Sequence, residues 1–265
     1  MLKLLGVGLL IAAALYAALL ALLWWGQERL IFLPTPLPAE HRFDRGSDVH
    51  ERTIEVPGAR LSALHLRLPQ PKALVFYLHG NAGNLDSWFV NPDFWRQANV
   101  DLFMIDYRGY GKSTGRIRSQ AELEADVRAA WAAVAPDYAG RRIVIFGRSL
   151  GTGLATGLAA EVQPDLTVLV SPYRSLRALA TEHYPFVPAA LLRYPLDTEA
   201  VLPCVRGPVL LLHGEQDTVI PPGHSRQLAA VHAQARLTLL PGAGHNDLQA
   251  HAAYLQALRA ALDSL

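Results

Sequence analysis

The sequence predicts an α/β fold: a mostly parallel eight-stranded sheet flanked by helices and preceded by one N-terminal transmembrane helix. Three observations predict it. Short, solidly apolar blocks recur along the chain, among them ALVFYL (73–78), RIVIF (142–146) and VLLL, the pattern of strands buried on both faces. Amphipathic stretches alternate with these blocks, and such alternation requires right-handed crossovers and parallel pairing. Leu4–Trp25 carries no charge; as a helix rising about 1.5 Å per residue it reaches about 33 Å, the thickness of a bilayer's hydrocarbon.

Composition narrows the classes. Of 265 residues, 51% are hydrophobic and 18% charged, which excludes a disordered chain. The formal charge is +1 with scattered basic residues, so no nucleic-acid partner is expected. The one cysteine, Cys204, excludes an internal disulfide and any Cys-based zinc site.

Residues 1–26 form the expected anchor. Trp24 and Trp25 close the apolar run where amphipathic rings favour the headgroup interface. A cleaved signal peptide fits worse, because the run exceeds the usual ~7–15 apolar residues and no small-residue cleavage site follows a polar spacer. The reading is a single-pass anchor in a bacterial inner membrane. Lys3 on one side and Arg29, Arg42 and Arg45 on the other do not fix its orientation by the positive-inside rule. A short amino tail is easily left inside, which tilts the reading toward an exported domain.

Residues 27–50 are a polar, proline-marked connector, and 51–265 a catalytic domain with a small lid at about 173–205. Strands are expected at Glu51–Val56, Leu61–Arg67, Ala73–Leu78, Leu102–Ile105, Arg142–Phe146, Leu166–Val170, Val209–Leu212 and Arg236–Leu240. Helices are expected at Ser87–Gln97, Gln120–Ala135, Leu150–Glu161, Ser225–Val231 and Leu248–Leu262, the second opened by a Ser119/Glu122 capping box. Reactive groups of such a sheet belong at its strands' carboxyl ends.

The strand RIVIF runs into Gly147-Arg148-Ser149-Leu150-Gly151 and then a helix rich in small residues. This is a G-x-S-x-G elbow in strand–turn–helix context. The turn is so tight that the serine takes a strained backbone, and glycines two before and two after avoid collision. Ser149 is the expected nucleophile, and Leu150 N–H, at the helix start, an oxyanion donor. Gly153 and Gly157 are expected to let the helix approach the sheet.

After ALVFYL comes His79-Gly80-Asn81-Ala82-Gly83-Asn84, where Asn81 N–H is the candidate second oxyanion donor; a plain turn with an N-cap is the alternative. His79 reads as a buried scaffold histidine. Beyond the last two strands lie Asp217 and His245, so that His245 would take the Ser149 proton and Asp217 would hold the imidazole's tautomer. Glu215, Asp197 and Asp247 are rival acids that loop position disfavours. The remaining histidines are expected on surfaces or capping loops. Gly111-Lys112-Ser113 imitates a phosphate loop, but the glycine such a loop needs is Asp106 here, so a simple glycine-rich loop is expected.

Taken together, HGNAGN (79–84), DYRGYGKSTG (106–115), GRSLGTG (147–153), HGEQDTVIP (213–221) and GAGHNDL (242–248) resemble the BEM46-like branch of the α/β-hydrolases, close to the membrane-tethered ABHD depalmitoylase group. The resemblance covers the chain from about residue 70 onward. It implies the α/β-hydrolase fold, Ser149 as nucleophile, Asp217 as acid, His245 as base, and Asn81 and Leu150 as oxyanion amides, with no cofactor and no metal. Serine at the elbow argues against dehalogenase and epoxide-hydrolase relatives, which place aspartate there.

The expected function is a membrane-anchored serine hydrolase cleaving carboxylic esters or thioesters through an acyl-enzyme. Its partners would be an ester or acyl substrate, a lipid or an acylated protein among them, and the membrane. In the lid, Tyr184, Phe186, Leu191 and Leu192 are either acyl contacts or ordinary packing. The alternatives are an aminopeptidase-like serine peptidase, for which the lid offers only Glu182, Asp197 and Glu199, and a non-catalytic tethered binding module.

Overall fold

A computed structural model describes residues 2–265. Helix α1 (Leu2–Ile31) outruns the uncharged segment because Gln27, Glu28 and Arg29 continue it, and it stops short of Pro34. It is long and apolar enough to cross a membrane, and its most apolar window is unburied by the rest of the protein.

Residues 27–31 of the expected connector are the end of α1, residues 32–48 are non-helical, and the first of these are built into the fold. Strand β1 (Leu33–Pro34) pairs in parallel with the short β5 (Ala82–Gly83), and Pro36 bridges Gly111. Phe32 is buried with its ring edge-on to Tyr194 at 5.1 Å.

The main sheet has eight strands: β2 (Val49–Val56), β3 (Ala59–Leu66), β4 (Ala73–Leu78), β6 (Val100–Ile105), β7 (Arg142–Arg148), β8 (Leu166–Val170), β9 (Val209–Gly214) and β10 (Ala235–Leu240), in the order β10-β9-β8-β7-β4-β6-β3-β2. β3 runs antiparallel to both its neighbours and every other pairing is parallel. Period-two alternation divides each central strand between two cores. From β4, Leu74, Phe76 and Leu78 enter one core, and Val75 and Tyr77 the other. Each fully buried side chain of this kind stabilises by about 1.5–3 kcal/mol.

The helices differ from expectation in instructive ways. The stretch Ser87–Gln97 is two helices, α2 (Leu85–Trp88) and α3 (Pro92–Gln97), because Asn91 takes a left-handed φ of 51° and Pro92 can only begin a helix. Ser119 does cap α4 (Gln120–Val134), accepting from the Glu122 amide at 3.1 Å. The reciprocal half of the box is absent: the Glu122 carboxylate accepts from the Arg118 amide at 3.0 Å and pairs with Arg108 at 3.1 Å. Helix α5 (Gly151–Val162) follows the elbow. A side chain at Gly153 would strike Tyr173 and Leu196 rather than the sheet, and one at Gly157 would meet nothing within 4 Å, so the expected sheet approach at these two glycines is not the reason for them.

The stretch 173–205 carries α6 (Leu176–His183), capped by Ser175, and α7 (Thr198–Val201), capped by Asp197. Helices α8 (Gly223–Ala230) and α9 (Ala252–Asp263) complete the flanks, and the expected start of the last helix at Leu248 is a separate 3-10 turn.

Candidate active site

Ser149 sits between β7 and α5 with φ of 50°, the left-handed backbone that a non-glycine residue adopts only where its surroundings impose it. The flanking glycines have the reason the elbow requires. A Cβ on Gly147 would lie 2.6 Å from the Gly151 carbonyl oxygen, and one on Gly151 would lie 2.1 Å from the Leu78 oxygen and 2.6 Å from that of His79. Gly151 therefore lets the start of α5 press on the loop after β4. Gly80 lies in that loop, and a Cβ there would be 3.5 Å from the Ser149 Cβ.

The Ser149 Oγ–H donates to His245 Nε2 at 3.0 Å, and His245 Nδ1–H donates to Asp217 Oδ2 at 2.7 Å. The other carboxylate oxygen accepts from the amides of Val219 at 2.9 Å and Ile220 at 2.8 Å. Asp217 is buried, and burial alone would push its carboxyl up. Hydrogen bonds from His213 and His245 and from the Ile220 amide outweigh that and hold it well below the usual carboxylate range. An ionised carboxylate on Nδ1 fixes the proton there and leaves Nε2 as an acceptor, the state a general base needs.

The two loops carrying Asp217 and His245 are joined. The Gln216 amide donates to the Ala243 oxygen at 2.9 Å, and a Cβ on Gly214 would fall 2.3 Å from that same oxygen. Asp247 accepts from the Gly244 amide at 2.7 Å and so shapes the His245 loop, Asp197 caps α7, and Glu215 is exposed. None of these rivals reaches His245.

Asn81 and Leu150 lie on the two segments that Gly151 brings together. Among the described residues, neither amide donates to a protein acceptor. The Asn81 carbonyl is pinned instead, accepting from the Leu33 amide at 2.8 Å and the Tyr110 hydroxyl at 2.6 Å. The connector thus fastens the loop beside Ser149. His79 is fully buried, donates from Nδ1 to the Gly80 oxygen at 2.7 Å, and stacks on Trp88. Ser113 and Lys112 of the glycine-rich loop are spent on Asp106, Ser62, His41 and Glu51, which leaves nothing to cradle a phosphate.

Several contributors went unrecognised in the sequence. His213, expected with the other histidines on a surface or loop cap, is buried beneath Asp217: its Nε2 is 3.3 Å from Oδ2 and donates to the Ile220 oxygen at 2.7 Å, while Ser225 serves Nδ1 at 2.6 Å. His65, His224 and His232 are buried too. A histidine closing an apolar strand four residues before the acid was the available signal. Tyr173 donates to the Leu150 oxygen at 2.8 Å and braces the elbow. Arg148 lies over the Trp88 ring at 5.2 Å and reaches Gln249 and the His245 oxygen. A cavity of about 320 Å³ lies beside these residues, lined by Trp88, Phe94, Arg148 and Tyr254 among others but by none of Ser149, Asp217 and His245. Packing does not account for Tyr184 and Phe186, which are 58% and 60% exposed.

Comparison with known proteins agrees with this architecture. The family model described as serine aminopeptidase, S33, matches residues 69–196. An uncharacterised protein of Mycobacterium tuberculosis is 34% identical over 250 residues, covering 89% of this chain and 86% of that one. Alpha/beta hydrolase domain-containing protein 17B of Homo sapiens is 30% identical over 209 residues, covering 76% of this chain and 70% of that one. Among solved structures, an esterase of Pyrococcus furiosus superposes with a TM-score of 0.69 at 16% identity, covering 88% of this chain and 97% of that one. The esterase Est1E of Butyrivibrio proteoclasticus, solved with ferulic acid, gives 0.61 at 18%, covering 80% and 96%. The chain belongs to the α/β-hydrolase superfamily and is a hydrolase of the serine type.

Proposed function

We propose that this chain is a membrane-anchored serine hydrolase of the BEM46-like branch that cleaves carboxylic esters or thioesters through an acyl-enzyme. The observation that carries the proposal is the continuous relay Ser149–His245–Asp217, with links of 3.0 and 2.7 Å. In this reading residues 1–26 are the anchor, 27–50 the connector and 51–265 the catalytic domain, and the apolar α1 supports the address.

Ser149 Oγ attacks the acyl carbon as its proton passes to His245 Nε2, a base contribution of about 10²–10⁴ in rate. The tetrahedral oxyanion is received by the amides of Asn81 and Leu150, each worth about 3–4 kcal/mol. Collapse expels the alcohol or thiol, which takes the proton back from His245, and leaves the acyl group on Ser149. Water gives a proton to the same imidazole as it attacks the acyl-enzyme; the acyl–Oγ bond then breaks, Ser149 takes that proton back from His245, and the acid leaves. Asp217 stays ionised and stabilises the imidazolium in both halves.

The family model's description raises a peptidase as a second reading, which would require an acidic group to receive a free amine. The lid's acids are already engaged: Glu182 with His224 at 3.1 Å, Glu199 with Arg174 at 2.7 Å, and Asp197 on the Ala200 amide. That engagement favours ester substrates. A fluorophosphonate probe is expected to label the wild-type chain and not Ser149→Ala; equal labelling of both would refute the assignment. Turnover of p-nitrophenyl esters with none of aminoacyl anilides is expected, and the converse would install the peptidase reading.

A further inference from the structure

We propose that the tip of the lid, Tyr184–Leu192, is itself a bilayer-inserting element, seated beside α1 in the leaflet that holds the anchor. The inference rests on the anchor reading above and narrows the substrate class to acyl chains resident in that leaflet. The tip reads YPFVPAALL and carries no charge; His183 and Arg193 bound it. Tyr184 and Phe186 project into the surroundings at 58% and 60% exposure, with their rings edge-to-face at 6.4 Å.

The position of the tip along α1 is what gives it a depth. The Tyr16 hydroxyl donates to the Phe186 oxygen at 2.6 Å. Tyr16 precedes Trp25 by about 13 Å of helix rise. With the tryptophans at the headgroup level, Tyr16 and the Phe186 carbonyl it holds lie well inside a hydrocarbon layer about 30 Å thick. A polar clasp locks this pairing at its water end. Gln27 donates to the Leu191 oxygen at 3.3 Å and accepts from the Arg193 amide at 2.8 Å, while Glu28 takes the Arg193 guanidinium and, at 2.8 Å, the Tyr194 hydroxyl. Arg193 also lies 5.4 Å over the Trp24 ring, a cation placed where headgroups begin.

Most of the tip's backbone suits a medium without water, where each unpaired polar group costs several kcal/mol; the amides of Phe186, Ala189 and Ala190 are the exceptions, donating to no protein acceptor among the described residues. Pro185 and Pro188 have no N–H, and the amides of Tyr184, Val187, Leu191, Leu192 and Arg193 all donate within the protein. The tip connects directly to the catalytic edge: His183, at its base, meets the Val219 oxygen at 3.0 Å, two residues beyond Asp217, and Val219 is itself 47% exposed. Insertion of the tip therefore brings the Asp217–His245 side of the site to the lipid.

The test uses the full chain in vesicles of phosphatidylcholine with a minor share of phosphatidylglycerol. Cys204 is exposed and is replaced (Cys204→Ser), and single cysteines are introduced as Phe186→Cys, Leu9→Cys in the anchor and Ala139→Cys on the far surface. Each carries the fluorophore NBD and is first shown to unfold at the parent's midpoint. Position 186 is expected to be quenched by doxyl-labelled lipids and shielded from iodide, as position 9 is, with the opposite at 139. Iodide quenching at 186 together with lipid quenching at 9 would overturn the inference and leave the anchor standing. Iodide quenching at both 186 and 9 would overturn the anchor reading, and this inference with it.

Discussion

Asp217→Asn tests the proposed relay at one atom. The Oδ1 of Asp217 accepts two backbone amides, from Val219 at 2.9 Å and Ile220 at 2.8 Å, while Oδ2 faces His245 Nδ1 at 2.7 Å. An asparagine here has one oxygen and one NH₂ to place. Turning its NH₂ toward the two amides sets donor against donor twice, at about 1–3 kcal/mol for each bond left unmade. The oxygen therefore stays on the amides and the NH₂ faces His245, and the proton on His213 Nε2 keeps the Ile220 oxygen at 2.7 Å. Nδ1 must then accept, so the imidazole carries its proton on Nε2, pointing at Ser149. The base is lost with little change in shape. Loss of kcat of about 10⁴, or about 5.5 kcal/mol, is expected on a p-nitrophenyl ester, with an unfolding midpoint near wild type. A D217N enzyme within tenfold of wild-type kcat would refute the tautomer argument and with it the role given to Asp217.

Two further perturbations probe the scaffold. Tyr138 gives its proton to Asp101 and so accepts from His65 Nε2 at 2.7 Å, leaving His65 Nδ1 buried without a partner. Burial, then the nearby Arg67 and Arg52, lowers His65 from 6.5 to about 3, so its contribution is complete above pH 6.5 and is lost as pH falls toward 3. At pH 5 the loss is about 2 kcal/mol, read as a falling urea midpoint between pH 7 and pH 5 that His65→Gln flattens; equal slopes in both chains would contradict it. Asp101, which burial pushes up, offsets this only nearer its own titration. Arg108 is buried and grips Asp126 through two nitrogens at 2.5 and 2.8 Å. Asp126→Ala takes the two-nitrogen partner from Arg108 but leaves it Glu122 at 3.1 Å and the Pro57 oxygen at 2.9 Å, so the expected cost by chemical denaturation is about 1.5–3 kcal/mol, the worth of hydrogen bonds to a charged group; a loss below about 1 kcal/mol would mark the pair as no better than an exposed one.

What the sequence determined by itself was whatever short-range chemistry encodes. Solid apolar blocks gave the buried parallel strands, and the glycines around Ser149 announced a turn that only small neighbours permit, a requirement met by the 2.1 and 2.6 Å approaches at Gly151 and Gly147. The order of Ser149, Asp217 and His245 after β7, β9 and β10 was readable because a parallel sheet delivers every such loop to one edge. Long-range contacts were not readable. The histidine that closes an apolar strand hints at burial, but nothing in HGEQD tells that His213 meets Asp217, or in the α4 pattern that Glu122 spends its carboxylate on Arg108 and Arg118. The connector's hold on Asn81 and the clasp between α1 and the lid join residues far apart in the chain, through backbone groups that every residue possesses. Local pattern fixes which groups a segment offers, whereas their partners are chosen when distant segments meet, and only the tertiary structure decides that.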